Sequence, residues 1–359
     1  MILTVTLNTA VDVTYSVRRL VPHSTHRVRD AAERPGGKGV NVARVLAASG
    51  RRAVVTGFVG GGATGARLRE LLAAEPVVDA LLPIAGDTRR TVAVVDTAGG
   101  DTTQFNELGP AVTAAEWSAF RSHYERLLAD AEAVALCGSL PPGVPVGGYA
   151  TLVRAARAAG VPVLLDTSGE PLARGLAARP ELVKPNLDEL AALTGSREPL
   201  RAAGEARRRG AGTVVVSLGA EGLLAVTPDG VWRARPPKRI AGNPTGAGDT
   251  VAAVLLDALA PGPADGSLDT ALPKPAPPKP TDPKSAVTEP APPQPAASKP
   301  AATQPADPKS VVDWPSVLAR AVALSAATVA ARTAGEFDSG VAEELLPRVA
   351  VEEQPRGAA

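Results

Sequence analysis

The segment Asn243-Pro244-Thr245-Gly246-Ala247-Gly248-Asp249-Thr250 concentrates more chemistry than any other stretch of this 359-residue chain. Small residues let backbone N–H groups close on an anion, and the apolar helix predicted over 251–259 adds the partial positive charge of its N-terminus. Gly246, Ala247 and Gly248 then make an anion hole with a carboxylate, Asp249, set inside it. An acid beside a bound phosphate repels it, an arrangement that makes sense where the acid must take a proton from an attacking hydroxyl. Taken alone, the segment is equally consistent with Asp249 as a helix cap.

Gly36-Gly37-Lys38-Gly39-Val40-Asn41 precedes a helical run over 42–48. Its glycines open the backbone to a ligand, Lys38 supplies a cation, and Asn41 an amide that both donates and accepts. The P-loop spacing G-x-x-x-x-G-K-[ST] is missing, so a Walker site is disfavoured. In Lys184-Pro185-Asn186-Leu187-Asp188-Glu189 a helix starts with Asn186 and Glu189 on one face. That pair can hold Mg2+ through waters, or simply open a helix. Ser217-Leu218-Gly219-Ala220-Glu221-Gly222 follows an apolar strand and can wrap a nucleotide or merely turn the chain. Asp12 and Arg89, single charges at strand ends, are candidates for a sugar hydroxyl and a phosphate.

Two decoys are weaker. Gly60-Gly61-Gly62-Ala63-Thr64-Gly65 satisfies the dinucleotide spacing G-x-G-x-x-G, but its strand is not the first in the chain and no second strand clearly ends in the required acid. Cys137 is the only cysteine and reads as a buried thiol, since His23, His26 and His123 support neither a Cys/His dyad nor a zinc site.

These residues need a scaffold, and the pattern between them supplies one. Short Val/Leu/Ile runs at 53–59, 133–137, 162–166 and 213–217 alternate with helical stretches at 66–74, 148–159 and 187–194. Such alternation predicts an α/β doubly wound sheet. Two segments break it: 11–34, and 90–106, a hairpin about Thr97-Ala98-Gly99-Gly100. They are expected to form a small antiparallel lid beside the main sheet. With aromatics at 3% of residues, the core must come mainly from Val, Leu and Ala.

The 38 Lys and Arg nearly cancel 37 Asp and Glu, which leaves no electrostatic footprint for nucleic acid or an anionic membrane. No apolar run reaches the ~18 residues of a membrane helix, and one cysteine suits a reducing, cytoplasmic setting. Residues 261–313 hold 15 of the 35 prolines and two imperfect copies of one motif, 274–287 and 299–312. This reads as a disordered or polyproline-like insertion, after which Asp313 caps a helix beginning at Trp314. The ordered domain is therefore expected over 1–260 plus 314–359.

Together the motifs resemble the ribokinase-like carbohydrate kinases of the phosphofructokinase B family, in the branch of 1-phosphofructokinase and tagatose-6-phosphate kinase. The resemblance rests on Thr6-Leu7-Asn8 with Asp12, the Gly36–Asn41 signature, Thr88-Arg89, Phe105-Asn106-Glu107 with Gly109-Pro110, and Gly138-Ser139-Leu140-Pro141. It continues through Asp166-Thr167-Ser168-Gly169, Lys184-Pro185-Asn186, Ser217–Gly222 and Gly246–Asp249. It implies a ribokinase-like three-layer α/β/α fold with a β-sheet lid, often dimerising through that lid. It also implies ATP-dependent phosphorylation of a ketohexose phosphate, with fructose 1-phosphate as first acceptor and tagatose 6-phosphate or fructose 6-phosphate as alternatives. A non-catalytic sugar-phosphate sensor on the same fold is the remote alternative.

By motif, the resemblance assigns Asp12, Gly37, Lys38, Asn41, Arg89 and Ser139 to the sugar phosphate. ATP falls to Lys184, Asn186, Ser217, Gly219, Glu221, Gly222 and Gly248, and Mg2+ to Glu189 through water. Gly246, Ala247 and Gly248 line the anion hole and Asp249 is the base. One departure adjoins the sugar pocket: Thr9 follows Asn8 where the family commonly has proline.

Overall fold

The computed structural model describes residues 1–28, 31–260, 312–331 and 336–355. The expected proline-rich insertion lies almost wholly outside the described residues.

A ten-stranded sheet forms the centre. Its parallel strands are β1 (Ile2–Thr6), β4 (Ala53–Gly61), β5 (Val78–Asp87), β8 (Ala133–Cys137), β9 (Val163–Asp166), β10 (Leu182–Val183) and β11 (Thr213–Ser217). Three antiparallel strands, β12 (Leu223–Val226), β13 (Val231–Arg235) and β14 (Ala350–Gln354), extend one edge. In the order β14-β13-β12-β11-β10-β9-β8-β1-β4-β5 the chain winds outward in both directions from β1. The crevice at the carboxyl ends of β1 and β8 is thus the switch point where open α/β sheets bind ligands.

Helices cover both faces. One face carries α1 (Lys38–Ala48), α2 (Gly62–Ala73), α8 (Ala247–Leu259), α9 (Trp314–Ala330) and α10 (Ser339–Leu345). The other carries α3 (Ala114–Leu128), α4 (Gly148–Ala158), α5 (Gly169–Leu176), α6 (Leu187–Thr194) and α7 (Pro199–Arg208). Strand β8 explains how each layer sits. Its Ala133, Ala135 and Cys137 face the α8 side, and Val134 and Leu136 the α3 side. Alternate residues point to opposite faces, so the small set lets the Asp249-bearing helix approach the sheet closely. Asp313 caps α9 as expected, accepting from the Ser316 N–H, and a buried Thr250–Thr328 hydroxyl pair at 2.9 Å ties α8 to α9.

Helix α3 is not among the elements expected from the sequence. Its capping box, Thr113 with Glu116, precedes Trp117, Phe120 and Tyr124 on one stripe. Their rings stack at 5.9 and 6.2 Å, and Phe58 joins at 5.0 Å. Phe58, Trp117, Phe120, Tyr124 and Tyr149 are all buried in this packing layer, whereas the other is built mainly from Val, Leu and Ala around Trp314, with Tyr15, Trp232 and Phe337 at its margin.

A second sheet of four strands, ordered β3-β2-β6-β7, is the lid: β2 (Ala10–Val17), β3 (Ala31–Gly36), β6 (Arg89–Asp96) and β7 (Thr102–Asn106). The expected antiparallel lid needs one correction. Its two hairpin pairs are antiparallel, but β2 and β6 join them in parallel. The reason is topological, because both strands leave the same carboxyl edge of the main sheet, β2 after β1 and β6 after β5.

Phe120→Ala is expected to lower the free energy of unfolding by about 3–5 kcal/mol through the cavity it leaves. Tyr149→Phe, which removes only a buried hydroxyl donating to Cys137 O and Gly138 O, should cost about 1 kcal/mol. Urea titration of both variants checks the contrast.

Candidate active site

Asp166 ends β9 with its carboxylate fully enclosed, and two ammonium groups converge on it. Lys38 Nζ lies 3.0 Å from Oδ1 and Lys184 Nζ 3.1 Å from Oδ2. Burial pushes the Asp166 carboxyl up, but Lys184 and Lys38 outweigh it and hold the group below the usual carboxylate range. The Lys38 ammonium is raised in turn, mainly by Asp166; burial opposes that, and Asp249 and Glu189 add to it. The Lys184 contact is off the hydrogen-bond line, so Oδ2 keeps a buried lone pair with no aligned donor.

Helix α8 points its first turn at this triad. Gly246 caps it in the left-handed conformation at φ 87°, and Thr245 N–H donates to Asn243 Oδ1 to shape the approach. A Cβ on Gly248 would stand 3.5 Å from Lys184 Nζ, so the first turn reaches that ammonium. One expectation is corrected here: the Ala247 N–H donates to Pro244 O at 3.1 Å and closes a turn instead of facing an anion. The Gly248 and Asp249 amides remain, since no helical carbonyl reaches the first turn of a helix.

Asp249 is 8% exposed and accepts from Asn41 Nδ2 at 2.8 Å. Its carboxyl is pushed up to about 6, first by burial and further by Asp166, against the lowering effect of Lys38, the Asn41 amide and Lys184. A carboxyl so poised is ionised at neutral pH and basic enough to accept a proton. The helix-cap alternative does not hold, because Asp249 lies inside α8 and Gly246 occupies the cap.

The lid side supplies a second set of groups. Asp12 presses on Gly36 so closely that a Cβ there would lie 2.2 Å from its Oδ1. Burial raises the Asp12 carboxyl, countered by Arg89, a Thr91 hydrogen bond and Arg44. Arg89 Nε donates to Asn8 O at 3.2 Å and Nη1 to Glu107 O at 3.1 Å. Ser139 Oγ accepts from Asn8 Nδ2, and neighbouring Gly138 sits beside the Lys38 stem. Gly37 caps α1 at φ 115°, directly before Lys38. Thr9, in place of the common proline, anchors the same turn by donating to Phe58 O.

Asn186 and Glu189 cap each other: Asn186 Oδ1 accepts from Glu189 N, and Glu189 Oε2 from Asn186 N. Both therefore open α6, with Glu189 still within the field of Lys38. Ser217 bridges to Asn186 across the strand ends. Beyond it Gly219 and Glu221 bound a short turn whose Gly219 side is open. Gly222 serves packing, since a Cβ would lie 2.1 Å from Ala234 O. The Gly60–Gly65 decoy likewise serves the approach to Arg89, with Gly60 N donating to Thr88 Oγ1. A recess lined by Ser196, Arg197, Arg201 and Arg208 at the far end of α6 shares no residue with this cluster.

Sequence reasoning gave no role to Asp166 or Asn8. The available signal for Asp166 was an acid closing the apolar run 163–165 before Thr167-Ser168-Gly169.

Residues 4–272 match the family model described as pfkB family carbohydrate kinase. The chain belongs to this family. The kinase is 40% identical over 266 residues to a 1-phosphofructokinase of Xanthomonas campestris pv. campestris, covering 72% of this chain and 83% of that protein. It superposes on phosphofructokinase-2 of Escherichia coli in complex with fructose-6-phosphate at TM-score 0.73 and 27% identity, covering 97% of this chain and 98% of that one. A possible 1-phosphofructokinase of Thermotoga maritima shares the fold at TM-score 0.76 and 23% identity, over 98% of this chain and 99% of that one. No helix among the described residues is long and apolar enough to cross a membrane.

A carboxyl raised from 3.8 to about 6 by folding contributes its stability below pH 3.8 and loses it as pH rises through 6. Asp249→Asn should therefore unfold at a higher temperature than wild type at pH 8, by up to about 3 kcal/mol in free energy. The difference should vanish below about pH 4. Thermal melts across pH check the sign.

Proposed function

We propose that this kinase transfers the γ-phosphoryl group of ATP to the free primary hydroxyl of fructose 1-phosphate, giving fructose 1,6-bisphosphate and ADP. The observation that carries the reading is Asp249: buried, held by Asn41, set in the first turn of α8 and raised to about 6. The 40% identity to a 1-phosphofructokinase supports this acceptor over the alternatives.

In the reaction the acceptor hydroxyl oxygen attacks the γ-phosphorus, the bond from that phosphorus to the β–γ bridging oxygen breaks, and the hydroxyl proton passes to Asp249. The Gly248 amide, the α8 N-terminus and Lys184 face the charge that spreads over the transferring oxygens. Arg89, Ser139 and Lys38 hold the phosphate already on the sugar, with Asp12 and Asn41 orienting its hydroxyls. The turn 217–222 follows the nucleotide, with Asn186 at its phosphates. A general base contributes roughly 10²- to 10⁴-fold, so positioning and electrostatics carry the larger share.

Mg2+ binds through one or two carboxylates plus substrate phosphates, and Asp166 Oδ2, which pairs with the Lys184 ammonium but accepts no aligned hydrogen bond, would join the half-buried Glu189 in such a donor set. The ion would neutralise phosphate charge there. The lid presents Phe105 and Leu108, 59% and 82% exposed, as an apolar edge for a second copy of the chain. A cytoplasmic setting suits the single buried Cys137.

A coupled ADP-release assay over fructose 1-phosphate, fructose 6-phosphate, tagatose 6-phosphate and free fructose should give the highest kcat/KM with fructose 1-phosphate; preference for free fructose would overturn the acceptor class. Asp249→Asn should lower kcat at least ~100-fold with ATP affinity kept. Because the base must be ionised, kcat/KM should fall as pH drops through about 6. A flat acid limb rules out Asp249 as that base.

A further inference from the structure

Ser139 follows β8 and Arg89 opens β6, and one residue touches both. Asn8, in the turn leaving β1, donates one side-chain N–H to Leu108 O at 3.0 Å and the other to Ser139 Oγ at 3.1 Å. Its main-chain oxygen accepts from Arg89 Nε at 3.2 Å. Asn8 is 6% exposed, yet its Oδ1 has no hydrogen-bond partner. That oxygen is pressed against Gly109, where a Cβ would stand 2.1 Å away.

A buried acceptor without a donor costs stability. The protein retains one at a residue whose two amide protons are both committed, which points to the protons as the reason for asparagine. A hydroxyl has one proton to give and two lone pairs to fill. With Asn8 N–H filling a lone pair of Ser139 Oγ, the Ser139 proton is turned away from Asn8 and left for a ligand. A phosphate offers acceptors only, so it selects such a donor.

We propose that Asn8 is a positioning residue for the acceptor's phosphate: it makes Ser139 a directed hydrogen-bond donor and holds the Arg89 guanidinium, and so favours phosphorylated over free ketoses. This rests on the acceptor class proposed above. An aspartate at the same place has the same shape but would take the Ser139 proton and add a like charge beside the phosphate.

The test is steady-state kinetics of Asn8→Asp and Asn8→Ala with fructose 1-phosphate, free fructose and ATP. Asn8→Asp should raise the KM for fructose 1-phosphate at least ~10-fold, with a smaller rise for Asn8→Ala. The KM for ATP and the kcat/KM for free fructose should stay unchanged. In the Asn8→Asp background, Ser139→Ala should cost less than it does in the wild type. If Asn8→Asp fails to fold, Asn8→Ala with the same Ser139→Ala cycle decides. Unchanged KM values, equal losses on both sugars, or an additive cycle overturn the role of Asn8. A wild-type enzyme that prefers free fructose overturns the acceptor class as well, whereas an active wild type with indifferent variants overturns this inference alone.

Discussion

A single buried carboxylate organises the site. Asp166 is buried, and taking a charge out of water costs more than one ion pair returns unless the geometry is good and the remaining valences are met. Two ammonium groups offset that cost by their charge, Lys38 from the start of α1 and Lys184 from just after β10, although Oδ2 still lacks an aligned donor. The pairing fixes where both helix-proximal cations stand. With Asp249 ionised the four side chains are neutral overall, so the cluster holds positive groups in place without a net negative charge.

What surrounds the triad serves to bring α8 to it. The small side chains on one face of β8 admit the helix, and the Thr250–Thr328 pair and the apolar face of α9 hold it from behind. The consequence is that Asp249 is desolvated while still hydrogen-bonded to Asn41. Burial and the hydrogen bond pull its proton affinity in opposite directions, and burial wins. A carboxyl poised near neutrality is thus a product of packing, where a solvated aspartate would have a far lower proton affinity.

Main-chain and amide contacts tie the lid to the carboxyl edge of the main sheet. Arg89, Asn8, Glu107 and Ser139 come from four separate segments joined by hydrogen bonds. No one of those segments holds an anion site by itself. Their common anchor is the turn after β1, which sits where the winding of the sheet reverses.

The motifs 36–41, 184–189, 217–222 and 246–249 stood out as turns because glycines, helix starts and lone charges leave local signals, and each falls at a helix start or a strand end. The alternation of strands and helices likewise announced the doubly wound sheet. Helix α3 escaped notice although its capping box and aromatic stripe are local features. Other properties have no local trace. Asp166 is an ordinary acid after a strand until Lys38 and Lys184, 128 residues before it and 18 after, are folded onto it. The Ala247 amide looked as free as its neighbours until the turn to Pro244 claimed it. Residue type and spacing, then, determined which groups can do chemistry; burial, charge pairing and the parallel join of β2 to β6 were decided only by tertiary structure, because desolvation and Coulomb energy depend on distance in space and not along the chain.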